Sequence, residues 1–123
     1  MYITIDFESE EALYMQLRNQ IVIGIAKRQY REGDSLPSVR QLAEQIGINM
    51  HTVNKAYTVL RQEGLIRMDC RRGAVIALDF DKLQAMAEID RDLHIILAKA
   101  CCKNISRAEL HAMVDTIYDE YFY

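Results

Sequence analysis

The sequence has no tryptophan, one proline (Pro37) and only five glycines in 123 residues. So few turn formers exclude an all-β design with many tight hairpins and favour long helical stretches. Its three cysteines, Cys70, Cys101 and Cys102, make an odd count with two adjacent members, which is no disulfide framework. A reducing compartment is therefore expected, with the protein cytoplasmic. No apolar run approaches the roughly 18–20 residues of a membrane span. The opening MYITIDFESEEALY lacks the basic region and apolar stretch of a secretory signal. There is also no Gly-rich phosphate loop, no His–Cys pair and no paired-carboxylate arrangement, so no enzyme and no cofactor are expected.

What remains is the balance of an ordinary globular chain, half apolar and 27% charged. Its length suits one domain, or a small domain with an appendage. The net charge of −3 is unevenly spread. From Lys27 to Ala77 nine basic residues face five acidic ones, a local net of +4, whereas Leu78 to the end carries −4. A basic middle and an acidic tail point to two jobs.

Residues 2–7, YITIDF, alternate briefly and read as a strand or an extended arm. From Ala12 to Tyr30, Leu13, Leu17, Ile21 and Ile25 recur every four residues, with Val22 and Ala26 widening the stripe. This predicts an amphipathic helix ended by the Gly33 turn. In LPSVRQLAEQIG, Ser38 precedes Gln41 by the three residues of a capping box, and Gly47 stops a short helix. After a brief connection, Asn49 is placed to cap a second helix whose Val53, Ala56, Tyr57 and Leu60 form one buried stripe. Two helices joined so closely form a helix-turn-helix, whose second helix can enter a DNA major groove. Leu65–Met68 and Ala74–Leu78 flank the turn Asp69-Cys70-Arg71-Arg72-Gly73 and read as a hairpin. The fold class is thus mainly α (α+β): a winged helix-turn-helix domain over 1–78, then a two-helix tail over 79–123.

In the tail, Leu83, Met86, Asp90, Leu93, Leu97 and Ala100 mark one line of a helix over about 82–102. Lys103-Asn104-Ile105 breaks it, and Ser106 with Glu109 forms a second capping box. The last helix bears Leu110, Met113, Val114, Ile117, Tyr118 and Tyr121. Two helices of this size do not easily bury both stripes on each other. A homodimer closed through Leu83, Met86, Leu93, Leu97, Leu110, Met113, Ile117 and Tyr121 is therefore expected.

These residues carry a resemblance. Gly33-Asp34-Ser35-Leu36-Pro37-Ser38-Val39-Arg40-Gln41-Leu42-Ala43, then Ile48-Asn49-x-x-Thr52-Val53-x-Lys55-Ala56-Tyr57 and Glu63-Gly64-Leu65-Ile66, resemble the winged-helix domain of the GntR family of bacterial transcription regulators. Ala12-Leu13-Tyr14-Met15-Gln16-Leu17 is similar to the start of that domain, where the family often has Pro in place of Ala12. The likeness covers residues 9–78. The short remainder is similar to the YtrA-like branch, in which the tail serves for dimerisation. The resemblance implies a cytoplasmic homodimeric repressor on a two-fold-related, double-stranded DNA operator, often of a neighbouring transporter operon. No membrane partner is implied, and a small effector at the subunit interface stays open.

Under that resemblance Arg40 matches the arginine of the LPS-x-R motif and is expected on DNA; the rival reading is an ion pair with Glu44. Around it, Ser38 and Asn49 open the two helices, and Met50, His51, Thr52, Asn54 and Lys55 form the reading face. Asn suits adenine, Thr and Met suit a thymine methyl, and Lys suits phosphate or guanine. Thr52 is read equally well as satisfying the helix start. Met50 stands where many members of the family carry a base-contacting arginine and the short branch often has proline, and Asn54 replaces an arginine of some subfamilies, which reduces guanine reading. In the wing, Arg71, Arg72 and Gly73 align with the family's Gly-rich turn and are placed for minor groove or phosphate. Two other readings stay open: a protein-interaction scaffold without specific DNA binding, and a metal- or redox-responsive regulator using His94, Cys101, Cys102 and His111.

Overall fold

A computed structural model describes residues 3–122 and divides the chain into two compact units, Met1–Asp79 and Phe80–Tyr123. The first unit holds α1 (Leu13–Ala26), α2 (Val39–Ile46), α3 (Met50–Gln62), β1 (Ile66–Asp69) and β2 (Gly73–Ile76). The second holds α4 (Lys82–Cys102), α5 (Arg107–Ile117) and a π-helical turn, Tyr118–Phe122.

In the first unit the stripes meet as their spacing requires. Leu17 and Ile21 of α1, Leu42 and Ala43 of α2, and Val53, Ala56, Tyr57 and Leu60 of α3 are all buried. Ile66, Ala74 and Ile76 close this core from the sheet side. Truncating a fully buried leucine such as Leu60 to alanine in so dense a core costs about 2–5 kcal/mol. Ser38 Oγ accepts from Gln41 N at 3.1 Å while Gln41 Oε1 accepts from Ser38 N at 3.0 Å, so both halves of the capping box form. Gly47, at φ 71°, ends α2 in the left-handed conformation.

Helix α1 stops at Ala26 rather than Tyr30. Arg28 takes φ 63°, its N–H bonds to Ile25 O at 3.0 Å, and Gln29 N–H bonds to Gly24 O at 2.9 Å. That is a Schellman ending built on arginine instead of glycine. It turns the Tyr30 ring back onto Gly24, where a Cβ would lie 2.3 Å from Tyr30 Cε2. Residues 3–6 form an arm rather than a strand, while Tyr2 lies outside the described residues. Two glutamines hold the arm: Asp6 N donates to Gln16 Oε1 at 2.9 Å and Gln16 Nε2 donates back to Asp6 O at 3.0 Å. Gln20 pairs with Thr4 in the same reciprocal way.

The wing is an antiparallel hairpin pairing Ile66 with Ile76, Arg67 with Val75, Met68 with Ala74 and Asp69 with Gly73. Its strands begin and end one or two residues from their expected places, because Asp69 and Gly73 close the last pair of the ladder. Residues 33–36 extend the sheet: Ser35 bridges Val75, and Leu36 N donates to Ala74 O at 2.8 Å.

In the second unit Asp81 caps α4 through Gln84 N. Ala100 N-terminal to the break accepts from Ile105 N at 2.9 Å, with Asn104 at φ 59°. Ser106 and Glu109 form both capping-box bonds of α5. Within this unit as described, the apolar stripes stay largely uncovered. Leu93 is 42% and Leu83 83% exposed, and among the apolar stripe residues of α4 only Ala100 is buried.

Candidate nucleic-acid interface

The α2–α3 pair turns one polar face outward. Asn49 Oδ1 accepts from His51 N at 2.7 Å and so starts α3. From there Val53, Ala56, Tyr57 and Leu60 point into the core, and Met50, His51, Asn54 and Lys55 point out. Met50 is 46% exposed, a large apolar side chain left in water at the leading end of the helix. Val39, Asn49, Met50, His51 and Asn54 line a shallow open groove of about 590 Å³. A neighbouring notch of about 320 Å³ is lined by Leu13, Tyr14, His51, Thr52 and Lys55, so His51 borders both.

The seating of this face is fixed from below. The buried Tyr57 hydroxyl donates to Pro37 O at 2.7 Å, joining the middle of α3 to the residue just before the α2 cap. Burial pushes the Tyr57 phenol well above its ordinary range. At the far end of α3, Arg18 of α1 makes a two-pronged ion pair with Glu63; its Nε–Oε1 distance is 2.7 Å. Thr58 returns its hydroxyl to Asn54 O at 2.8 Å and so does not compete for the Asn54 side chain.

Of the expected residues, Ser38 and Asn49 are committed as helix caps, which leaves Ser38 its O–H and Asn49 its amide N–H₂ to offer outward. The cap of α3 is therefore Asn49 and not Thr52, which sits half-buried in the notch. Arg40 is exposed on α2, and the alternative ion pair to Glu44 is not formed. Lys55 is held above the Tyr14 ring, 4.1 Å from its centroid. Neither Tyr14 nor Val39 was legible as part of this face from helix spacing alone, because each reaches it from another element.

The wing turn is organised by Asp69, whose Oδ1 accepts from Arg71 N at 2.8 Å and Arg72 N at 3.0 Å. Those two amides hold its carboxyl below the usual carboxylate range, with smaller help from the Arg67 and Arg72 charges. Gly73, at φ 73°, closes the turn where a side-chain-bearing residue would be strained. Arg71 projects freely, with no side-chain partner among the described residues, whereas the Arg72 guanidinium donates to Gly33 O. Arg72 is thus partly spent inside the protein, with further N–H groups still available.

In the tail, His94 Nδ1 approaches Asp90 O at 2.8 Å, and the cysteines are exposed. Among the described residues no three His, Cys, Asp or Glu groups gather as a metal site, so no three of His94, Cys101, Cys102 and His111 do. No helix of the described residues is long and apolar enough to cross a membrane.

Comparison with known proteins fits this arrangement. Residues 11–76 match the family model described as bacterial regulatory proteins, gntR family. The transcriptional repressor YtrA of Bacillus subtilis is 41% identical over 75 residues, 61% of this chain and 58% of that protein. The structure of YtrA from Sulfolobus acidocaldarius, a GntR-family transcription factor, is 40% identical with a TM-score of 0.63, over 76% of this chain and 99% of that one. A transcriptional antiterminator from Listeria monocytogenes EGD-e is 27% identical, with a TM-score of 0.89 over 100% of this chain and 94% of that one. The chain spans about three fifths of the length of two curated relatives that it matches.

Proposed function

The chain belongs to the GntR family of bacterial regulatory proteins and is a winged-helix, DNA-binding transcriptional regulator, and from that premise we propose that it is a homodimeric repressor of the YtrA type, acting in the cytoplasm on the two-fold-related operator of a transporter operon. The observation that carries the reading is the face of α3. Its core residues are buried while Met50, His51, Asn54 and Lys55 stand exposed beside an open groove. The N-terminal part of such a helix contacts base edges, so Asn54 is assigned to adenine and Met50 to a thymine methyl. Arg40 on α2 and Arg71 in the wing frame that helix with positive charge and take phosphates or groove edges.

The dimer is proposed through the second unit. Met86, Leu93 and Leu97 on α4 and Met113 and Ile117 on α5 are exposed apolar side chains on two amphipathic stripes, a surface that a second copy would bury symmetrically. Removing about 25 cal/mol per Å² of such surface from water is the driving force. Residues 1–78 would then bind DNA and 79–123 would dimerise. The repressor assignment follows the relative named a repressor.

Selection of duplexes from random sequence by the purified protein tests the whole reading. The expected result is a two-fold-related site with a fixed half-site spacing, bound by a species that sediments as a dimer. Recovery of no preferred sequence, or binding by a monomer to a single half-site, would overturn it. Leu93→Glu should separate the two parts, monomerising the protein while leaving the first unit folded.

A further inference from the structure

Lys55 has an unusual restraint for a residue on the exposed face of α3. Its ammonium lies 4.1 Å from the centroid of the Tyr14 ring, which belongs to the first turn of α1. Tyr14 is half-buried and packed against the core, so packing restrains its ring. Both residues line the same notch, beside Leu13, His51 and Thr52. No carboxylate pairs with Lys55 among the described residues.

That combination matters chemically. A carboxylate would hold the ammonium by neutralising it, and the pair would have to be broken before a phosphate bound. An aromatic face attracts the cation through its quadrupole and leaves the charge intact. It occupies one side of a tetrahedral ammonium and leaves the donors on the other side directed away from the ring. A free lysine must surrender the rotation of its long stem on binding, whereas a lysine already held gives up less.

We propose that Tyr14 is a positioning residue for DNA binding, its ring holding the Lys55 ammonium at the rim of α3 in the orientation used on the phosphate backbone. This rests on the reading of α3 given above. Tyr14 itself makes no base contact in the proposal. Its contribution reaches DNA only through Lys55.

A double-mutant cycle in affinity for a selected duplex tests it. Tyr14→Leu should weaken binding about two- to fivefold, the range of an exposed cation–π contact. Its salt slope should be unchanged, because the number of phosphate contacts is the same. Tyr14→Phe keeps the ring and should bind as wild type. In a Lys55→Ala background, which itself lowers the salt slope by about one, Tyr14→Leu should cause no further loss. Additive losses, or a Tyr14→Phe loss equal to that of Tyr14→Leu, would overturn the proposal. So would wild-type affinity in Lys55→Ala, which would remove Lys55 from the interface while leaving the rest of α3 in place. Failure of the wild-type protein to select any duplex would instead overturn the parent reading. Should Tyr14→Leu not fold, the wild-type proton spectrum decides. Upfield ring-current shifts of the Lys55 ε-methylene, free and on DNA, are expected; random-coil shifts would contradict the positioning.

Discussion

Tyr57→Phe isolates the bond that seats α2 against α3. The ring is 4% exposed and stays in place in the variant, so core packing is conserved and only the hydroxyl is lost. The 2.7 Å bond from that hydroxyl to Pro37 O disappears with it. A neutral hydrogen bond contributes about 0.5–1.5 kcal/mol net. Pro37 is half-buried, so water can partly replace the lost donor, and a loss of about 1 kcal/mol is expected. With a slope of about 1–3 kcal/mol per molar in urea, the midpoint should fall by roughly 0.3–1 M at fixed protein concentration. The effect should also depend on pH. Burial raises the phenol pKa above its ordinary 10.0, so the folded state keeps a proton that the unfolded state gives up. The Tyr57 contribution is then fully present below pH 10.0 and declines as pH rises above it. Urea melts of both proteins between pH 7 and pH 11 give the difference directly, since every other tyrosine is common to them. Wild type should lead at neutral pH and lose that lead above pH 10.0. Equal midpoints at neutral pH, or a difference constant across the range, would refute the role given to the buried hydroxyl.

Two further substitutions probe the helix end and the wing. Gly24→Ala would favour helix by propensity, yet its Cβ would meet the Tyr30 ring at 2.3 Å; a net destabilisation of about 1–3 kcal/mol is expected in urea melts, and a stabilised variant would contradict the packing. Arg72→Ala should weaken binding across sequences and reduce the salt slope by about one; an unchanged slope would confine Arg72 to its bond with Gly33 O.

The elements written in local spacing are legible in the sequence itself. Ser38 with Gln41 and Ser106 with Glu109 announce their helices by side chains that reach only three residues, and both capping boxes form. Helix α4 runs over Lys82–Cys102 as its apolar repeat requires. The end of α1 was not legible, because the left-handed residue that stops it is Arg28 rather than a glycine. With that ending comes the packing of Tyr30 on Gly24, a contact absent from any helical period. The bridge that Ser35 makes to Val75, with the backbone bonds on either side of it, escaped for a related reason: the partners are some forty residues away.

The candidate site divides the same way. Periodicity separates the inward stripe of α3 from its outward residues, so Met50, His51, Asn54 and Lys55 could be named from spacing. What those side chains touch is a property of the fold. Tyr14, whose ring lies by the Lys55 ammonium, and Val39, which lines one groove with Met50, come from two other helices, and in the wing Arg72 likewise reaches Gly33 of a distant segment.

Base reading by α3 is measured most directly by comparing affinity for a selected duplex with affinity for random duplex, in wild type, Asn54→Ala and Met50→Arg. Loss of one bidentate base contact is worth about 1–3 kcal/mol. Asn54→Ala should therefore lose roughly 5- to 150-fold on the selected site and almost nothing on random DNA. Met50→Arg, reselected, should shift preference toward guanine at one position of each half-site. Equal losses on both duplexes, with an unaltered reselected site, would contradict base reading by α3 and move it elsewhere on the protein.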